Sequence, residues 1–443
     1  MFELKGRYTD ATIYAEEIEQ AAISQIQGLC NHPAFEGAKI SIMSDAHAGE
    51  GCTIGTTAIL KEKKIIPNVV GVDIACGVWC TIFRVNKEID YKLLDDFINA
   101  NIPSGHDIRE HKHPALKKEV KDDVKAIVNE LHIGDENTFL KSIGSLGGGN
   151  HFIEIDYVSD GIFALFIHTG SRHLGKKVCE YFQRKALINI AGGNELREAM
   201  NTLIAKLKKE HREKDINKEI MNLKNNFVGK KTGIPKDLAY IEGEDYESYV
   251  RNSIRCAHMA HESRRLISVD ILSFINDNFG GIEIIEEFDT IHNYIEQLEN
   301  GRIVIRKGAI SAKNGEKISI PLNMKDGVII AIGKGNDNWN QSAPHGAGRL
   351  LSRAIAKTTL SMEEYKKQMS NINTWSVCPE TLDEAPGAYK SADSIIEQVK
   401  DTCNIIAVTK PVYNFKAHAP EIRWADIKRK EREEKRAKRE ISE

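Results

Sequence analysis

Long apolar runs and paired cysteines are both absent from the sequence. No stretch of its 443 residues approaches the roughly 18 consecutive apolar residues that a membrane span needs. The N-terminal segment MFELKGRYTDATIYAEEIEQ carries too many charges for a secretory signal peptide. The 8 cysteines lie far apart and form no C-x-x-C pair, which argues against a disulfide framework. We therefore expect a cytoplasmic protein with reduced thiols and no membrane partner.

The sequence also has little net charge. Its 61 basic and 64 acidic residues leave a formal charge of −3, so the composition alone does not indicate a nucleic-acid partner. One segment differs, because basic residues clearly outnumber acidic ones in KRKEREEKRAKR, residues 428–439. We expect residues 418–443 to form a charged C-terminal tail that is solvated and does not act as a specific binding arm.

Short apolar runs alternate with amphipathic segments along the chain, and this pattern predicts a mixed α/β fold with short strands. The run VVGVDIACGVWCTIFRV, residues 69–85, predicts a strand, a tight turn and a second strand. Apolar residues recur at helical spacing over residues 116–131 and predict an amphipathic helix. Residues from about 190 to 276 are helical in pattern and rich in Lys and Glu, so we expect a helical insertion there.

Residues of metal-ligand type begin with Asp73 and Cys76 in the turn GVDIACG. The flanking glycines let the chain bend until the carboxylate and the thiolate converge, and a thiolate is able to bridge two divalent cations. A buried structural cysteine would fit the same short pattern.

The stretch GSLGGGNHFIE, residues 144–154, places three successive glycines directly before Asn150 and His151. Gly147–Gly149 permit positive φ angles and a close backbone approach, as a loop needs when its N–H groups face an anion. The alternative is an ordinary glycine-rich turn followed by a surface histidine.

A second histidine, His168, ends the predicted buried strand in IFALFIHTGSRHLG, with Ser171 and Arg172 just beyond it. His151 and His168 are too far apart in sequence to share one helix face, but two adjacent strands joined at SDG would bring them together. A core histidine bonded to a backbone carbonyl is the alternative.

Two further motifs lie downstream. FDTIHNYIE carries His292 and Asn293, and APHGAGRLLSR places His345 in a glycine-flanked loop ahead of Arg349 and Arg353. Arginine holds phosphate through paired hydrogen bonds, and a neutral imidazole in such a loop is able to carry a phosphoryl or nucleotidyl group. One Asp, one Cys and three His in these settings together match a two-metal site with O, N and S ligands.

The order of these motifs resembles the RtcB family of RNA ligases, the 3′-phosphate tRNA-splicing ligases. The resemblance runs from SDAHAGEGCTIG near residue 44 through GVDIACG, SLGGGNHFIE, HTGSRHLG, HNYIE, IRKGAIS and HGAGR to DEAPGAYK at residues 383–390. It implies an α/β (mixed α+β) fold with a central metal and nucleotide cleft. Because the candidate ligands run from residue 73 to residue 345, we expect one catalytic domain over residues 1–417, with the helical insertion inside it.

The resemblance implies an enzyme that joins an RNA end bearing a 3′-phosphate or 2′,3′-cyclic phosphate to a 5′-hydroxyl end. Its cofactors would be GTP and two Mn²⁺ ions, and it would act in tRNA splicing or RNA repair. An activating protein factor would be a further partner. His345 would carry GMP as a covalent intermediate. The implied metal ligands are Asp73, Cys76 and His151 for one ion and Cys76, His168 and His292 for the other.

The resemblance also implies the residues that contact the nucleotide. They are Asn150, His151, Phe152, Ile153, Glu154, His292, Asn293, His345, Gly346, Ala347, Gly348 and Lys416. The family's guanine-contacting turn is usually GSMG upstream of HGAGR, and the nearest equivalent here is Gly333, Lys334, Gly335 and Asn336. The preference between GTP and ATP therefore stays open.

Other functions remain compatible with the residues. A metal-dependent cyclic phosphodiesterase or a 3′-end nucleotidyltransferase would keep the same ligands, although His345 in its glycine-rich loop argues against a hydrolase. A non-catalytic RNA-binding protein would use the basic tail, but it would not need five residues of ligand type.

Overall fold

Strands from distant parts of the chain pair into the sheets of this computed structural model, which describes residues 1–226 and 233–417. The strands are β1 Phe2–Leu4, β2 Ala11–Ile13, β3 Lys39–His47, β4 Ile54–Ile59, β5 Lys64–Ile65, β6 Gly77–Val85, β7 Phe152–Ser159, β8 Ile162–Thr169, β9 Ile241–Glu242, β10 Ile282–Ile291, β11 Asn293–Gln297, β12 Ile303–Lys307, β13 Ala309–Ser311, β14 Lys317–Asn323, β15 Gly327–Gly333, β16 Ser342–Pro344, β17 Cys403–Val408 and β18 Lys410–Lys416. The α-helices are α1 Gln20–Cys30, α2 Pro67–Val70, α3 Tyr91–Asn101, α4 Lys118–Leu131, α5 Glu136–Ser142, α6 Arg172–Ile190, α7 Gly193–Lys209, α8 Ile216–Asn226, α9 Gly243–Phe279, α10 Arg353–Thr359, α11 Met362–Gln368 and α12 Ala392–Gln398. The predicted tail, residues 418–443, lies outside the described residues.

A five-stranded antiparallel sheet, in the order β10-β6-β8-β7-β18, forms the framework for the candidate site. β7 and β8 are a hairpin whose register pairs Phe152 with His168. His151 immediately precedes β7, so the prediction that adjacent strands bring His151 and His168 together is confirmed.

A second sheet has six strands in the order β1-β2-β3-β4-β12-β11, with β2 and β3 parallel. β10 of the first sheet ends at Ile291 and β11 of the second begins at Asn293, so His292 lies where the chain passes between the sheets. The N–H of His292 donates to the carbonyl of Cys76 at 2.9 Å. This hydrogen bond ties the junction of the two sheets to the GVDIACG turn.

The three-stranded sheet β14-β15-β17 covers one face of the five-stranded sheet. Val328 and Ile330 of β15 pack in one buried apolar cluster with Val78 of β6 and Phe166 of β8. Phe152 belongs to the same cluster. The small sheet is therefore held beside the end of β7 from which the candidate site residues extend.

The 37-residue helix α9 packs against the opposite face of the five-stranded sheet. Ile267, Ile271 and Ile275 recur every four residues and share a buried cluster with Phe83 and Leu165. Alternate residues of a strand point to opposite faces, so Leu165 reaches α9 while its neighbour in β8 reaches the small sheet. The amphipathic face of α9 thus completes the second layer of the core.

The predicted amphipathic helix over residues 116–131 is confirmed as α4, which buries its apolar side against α9. The region from about 190 to 276 contains α7, α8 and most of α9, and its assignment as an insertion within one catalytic domain stays a prediction. Within residues 1–226 and 233–417, no helix has the length and apolar composition of a membrane span. The predicted mixed α/β fold is confirmed by the sheets and helices together.

The first of the two strands predicted within residues 69–85 is wrong. Pro67–Val70 forms helix α2, and Gly71, with a φ of 98°, ends it. Proline favours the first position of a helix because its φ is already fixed near the helical value. The second predicted strand is confirmed by β6, which begins directly after Cys76.

Candidate active site

A cavity of about 300 Å³ opens beside the end of the five-stranded sheet, under the β14–β15 hairpin. Its walls include three of the predicted histidines, His168, His292 and His345, together with Phe152 from β7 and Lys416 from β18. These residues come from five separate segments of the chain, so the cavity exists only in the folded protein.

The five predicted metal ligands lie together beside this cavity, and we call them the ligand cluster. Their donor atoms form two triads, Asp73 with Cys76 and His151, and Cys76 with His168 and His292, and within each triad these atoms lie within 4.8 Å of one another. Cys76 belongs to both triads. Its Sγ lies 3.5 Å from Nε2 of His151 and 3.2 Å from Nε2 of His168.

Backbone carbonyls fix the direction of two imidazole rings in the ligand cluster. Nδ1 of His151 donates to the carbonyl of Leu146 at 2.9 Å, and Nδ1 of His168 donates to the carbonyl of Asn150 at 3.1 Å. A neutral ring that donates through Nδ1 keeps the lone pair on Nε2. In both rings this lone pair faces Cys76, as a cation ligand requires.

The protonation states of the ligand cluster also suit divalent cations. Burial lowers the pKa of His168 and His292 well below the usual value, so both rings are neutral near pH 7. Burial opposes ionisation of Asp73, but its contacts with His151 and Cys76 and the charge of Arg172 outweigh burial and lower the pKa of this carboxyl. Burial and the charge of Asp73 raise the pKa of the Cys76 thiol, so a bound cation must displace its proton. Neutral imidazole, carboxylate and thiolate are the ligands of a mixed two-metal site, and the cluster fits one.

The turn between Asp73 and Cys76 has an unusual backbone conformation. Ala75 has a φ of 56°, which residues with a Cβ rarely adopt. Its N–H donates to the carbonyl of Asn293 at 2.5 Å, and Nδ2 of Asn293 donates to the carbonyl of Asp73 at 3.4 Å. Asn293, a predicted nucleotide contact, lines the cavity and also holds this turn in place.

The glycines of GSLGGGNHFIE differ in what the fold requires of them. Gly147 has a φ of 87°, and a Cβ there would lie 1.8 Å from Nη1 of Arg172 and 2.6 Å from Nδ1 of His151. Gly149 has a φ of 73°, but a Cβ there would meet no atom of the described residues within 4 Å. Only Gly147 is therefore required by the packing of His151.

His345, the predicted nucleophile, is oriented by a buried carboxylate. Nδ1 and the backbone N–H of His345 both donate to Oδ2 of Asp45, at 2.8 Å and 3.2 Å. The ring of His345 lies 5.0 Å, centroid to centroid, from the ring of His292 in the ligand cluster. Sequence reasoning assigned no role to Asp45, although SDAHAGEGCTIG, the motif that contains it, was a signal.

The residues Asn150 to Glu154 alternate between the cavity and the core. Asn150, Phe152 and Glu154 line the cavity, whereas Ile153 is buried in the apolar cluster beneath α9. A strand that begins at Phe152 requires this alternation. Of the predicted nucleotide contacts in this segment, the side chain of Ile153 points away from the cavity.

Lys416 lies in the cavity as part of a buried charge network. Its Nζ lies 2.7 Å from Oε2 of Glu384, and Nη1 of Arg353 lies 2.6 Å from Oε1 of the same carboxylate. Burial opposes ionisation of Glu384, but the charges of Lys416 and Arg353 outweigh it and lower the pKa of this carboxyl to about 2. Glu384 belongs to the motif DEAPGAYK, yet sequence reasoning gave it no role.

The segment Gly333–Asn336, predicted to contact the base, is placed outside the cavity. β13 and β16 form a short ladder, and His345 follows β16 at one end of it. The N–H of Gly335 donates to the carbonyl of Ala312, beyond the other end of the ladder. Three residues of strand, roughly 10 Å, separate the two ends.

The cavity is instead lined by the end of β14 and the turn that follows it, Pro321 to Met324. Gly346, Ala347 and Gly348, which were predicted contacts, line it as well. The turn between β14 and β15 thus lies at the cavity, whereas Gly333 ends β15 at the opposite end of this hairpin. The contact of Gly333–Asn336 with the base, which the family resemblance implied, stays a prediction.

Comparison with known proteins gives concordant matches. The family described as "tRNA-splicing ligase RtcB" matches residues 25–417. The chain is 28% identical over 400 residues to "RNA-splicing ligase RtcB" of Escherichia coli (strain K12), an alignment that covers 84% of this chain and 88% of that protein. It is 24% identical over 492 residues to "tRNA-splicing ligase RtcB" of Thermococcus kodakarensis, with 91% and 93% covered.

Proposed function

Because the chain belongs to the RtcB family, we propose that it is an RNA ligase that joins 3′-phosphate or 2′,3′-cyclic phosphate ends to 5′-hydroxyl ends, with GTP and two Mn²⁺ ions. One observation carries this proposal. His345, fixed by Asp45, lies on the same cavity as a ligand cluster whose two triads share Cys76. A nucleophile next to two cation sites is what nucleotidyl transfer requires.

The ligand cluster would hold the two cations, which when bound would neutralise charge on the phosphates of the nucleotide. The chain itself supplies the nucleophile. With the Nδ1 proton of His345 retained on the hydrogen bond to Asp45, the lone pair of Nε2 attacks the α-phosphorus of GTP. The bond to pyrophosphate breaks as the N–P bond forms, which leaves GMP on His345.

The remaining steps transfer the activated group to RNA. A 3′-phosphate oxygen attacks the GMP phosphorus, and the bond to Nε2 of His345 breaks. The 5′-hydroxyl of the second RNA then attacks the activated 3′-phosphorus and expels GMP, which completes a phosphodiester. A 2′,3′-cyclic phosphate must first be opened by water, since it offers no free 3′-phosphate.

The surface next to the cavity supports an RNA substrate. A cleft of about 1120 Å³ shares Asn150 and Glu384 with the cavity and is lined by Arg172, Lys176 and Lys357. Basic side chains along such a cleft attract a phosphate backbone. The natural RNA, a role in splicing or repair, cytoplasmic location and the need for an activating protein stay predictions.

A ligation assay tests the proposal. A 5′-labelled RNA ending in either a 3′-phosphate or a 2′,3′-cyclic phosphate is mixed with a 5′-hydroxyl RNA, Mn²⁺ and either GTP or ATP, and the products are separated by electrophoresis. The proposal expects a joined product that requires GTP and is lost in Cys76→Ala. Conversion of a 2′,3′-cyclic phosphate to a monophosphate, with no joined product in either nucleotide, would instead identify a cyclic phosphodiesterase.

A further inference from the structure

Arg264 on α9 is completely buried beneath the ligand cluster, with 0% of its surface exposed. Burial of a charged side chain is costly unless every donor is paired. Its Nε and Nη2 donate to the two carboxylate oxygens of Asp289 on β10, each at 2.7 Å. This bidentate pair offsets the guanidinium charge, so Arg264 brings little net repulsion to nearby cations.

The remaining nitrogen of Arg264 reaches the segments that carry the ligands. Nη1 donates to the carbonyl of Ala75 at 2.9 Å and to the carbonyl of Thr169 at 2.6 Å. Ala75 directly precedes Cys76, and Thr169 directly follows His168. One side chain therefore fastens the turn with the shared cysteine to the strand with His168.

Asp289 extends this connection to the third segment. It lies three residues before His292, on the strand that ends at the ligand cluster. The pair Arg264–Asp289 thus contacts three of the four segments that supply ligands. The φ of Ala75, 56°, is strained for a residue with a Cβ and persists only when its surroundings hold it.

We propose that Arg264 is a positioning residue that fixes Cys76 relative to His168 and His292, so that the shared sulfur reaches both cations. The inference rests on the proposed function, since it assumes that the ligand cluster binds cations. Loss of this support would weaken cation binding about 10- to 100-fold, as is typical when the partners of metal ligands are changed.

A second buried arginine provides a matched control. Arg306 on β12 is 1% exposed and pairs with Glu296 at 2.5 Å. Its other hydrogen bonds reach the side chains of Ser342 and Tyr294, at 2.8 Å and 2.9 Å. Exchange of either arginine for lysine leaves a buried charge with fewer hydrogen bonds, but only Arg264 holds backbone carbonyls next to ligands.

The test is a Co²⁺ titration of metal-free protein without nucleotide, followed by the thiolate-to-cobalt charge-transfer band. Wild type, Arg264→Lys, Arg306→Lys and Asp289→Asn are compared, and their Tm values are measured in parallel. In Arg264→Lys, Co²⁺ is expected to bind about 10- to 100-fold more weakly than in wild type, and the charge-transfer band is expected to change. Asp289→Asn is expected to weaken Co²⁺ binding as well. Arg306→Lys is expected to lower Tm while it leaves affinity and band unchanged.

The outcomes separate the inference from the proposed function. Wild-type protein that shows no charge-transfer band with Co²⁺ would contradict the cation site itself. If wild type binds Co²⁺ normally and both Arg264→Lys and Asp289→Asn give the same titration, the positioning role of Arg264 is overturned. The cation site itself would stand. If Arg264→Lys does not fold, Asp289→Asn decides the question, because it keeps the shape of the partner and removes its charge.

Discussion

The Nδ1 atom of His345 lies 2.8 Å from Oδ2 of Asp45, and this carboxylate is fully buried. The two residues are 300 positions apart in sequence. An N–H donated from Nδ1 leaves the lone pair of the ring on Nε2. The backbone N–H of His345 is bonded to the same oxygen, so Asp45 sets both the tautomer and the orientation of the proposed nucleophile.

Asp45→Asn is predicted to slow nucleotide transfer to His345 about 10²-fold or more. The amide oxygen of asparagine would accept from both donors in place of Oδ2, but it lacks the negative charge that stabilises the positive ring formed as Nε2 attacks phosphorus. The check is the single-turnover rate of adduct formation at saturating nucleotide. An unchanged rate would show that the negative charge of Asp45 does not activate His345.

Cys76→Ala is predicted to remove both bound cations, because Cys76 belongs to both triads. His151→Ala takes a ligand from one triad only and is expected to leave the other cation in place. Metal content after dialysis against limiting Mn²⁺ measures the difference. Retention of two cations per chain by Cys76→Ala would contradict a shared cysteine ligand.

Gly147→Ala is predicted to be far more damaging than Gly149→Ala. Both positions have a positive φ, at 87° and 73°, so both variants bear a backbone cost of roughly 1–2 kcal/mol. Only the methyl group at Gly147 collides with Arg172 and His151. Cation affinity and Tm of the two variants give the comparison, and equal losses in both would refute the steric explanation.

Asp156→Asn is predicted to stabilise the protein more at pH 8 than at pH 5. Burial raises the pKa of Asp156 to about 7, and burial together with the charge of Asp156 raises the pKa of Glu154 well above its usual value. Carboxyls with raised pKa values bind more protons folded than unfolded, so stability falls as pH rises from about 4 to about 7. Above this range each unit of raised pKa costs about 1.4 kcal/mol.

The asparagine side chain at position 156 cannot ionise, so the stability of this variant should depend less steeply on pH. It retains an oxygen that accepts from the hydroxyl of Thr409, as Asp156 does. Calorimetric Tm values of both proteins at pH 5 and pH 8 provide the measurement. Parallel pH dependences would mean that Asp156 ionises normally in the folded state.

Lys416→Ala is predicted to raise the KM for nucleotide at least several-fold, since Lys416 lines the cavity and pairs there with Glu384. Asn336→Ala is the control, because its segment lies at the far end of the β13–β16 ladder. The KM of each variant is obtained from initial rates of ligation measured at a series of nucleotide concentrations. A larger KM effect in Asn336→Ala would restore Gly333–Asn336 as the base-contacting segment.

The ligand cluster could be predicted from the sequence because few residue types bind divalent cations. Cys76 and three histidines next to glycines or strand ends are unusual enough to be noticed without a structure. The adjacency of His151 and His168 followed from a short hairpin, whose register depends only on nearby residues.

The supporting residues could not be predicted because their roles depend on contacts between distant segments. Asp45 is one of 64 acidic residues, and only the folded chain shows that it meets His345. Arg264 lies on an amphipathic helix, where an arginine side chain is normally exposed to solvent. The position of Gly333–Asn336 depended on which end of a hairpin faces the cavity, and local sequence does not specify that direction.

The most direct test of the central claim is the intact mass of the protein after incubation with Mn²⁺ and either GTP or ATP. Wild-type protein and His345→Ala are measured side by side. The account predicts an adduct of one GMP on wild-type protein and none on His345→Ala. Absence of an adduct with both nucleotides, or an adduct that survives in His345→Ala, would contradict the assignment of His345 as the nucleotide carrier.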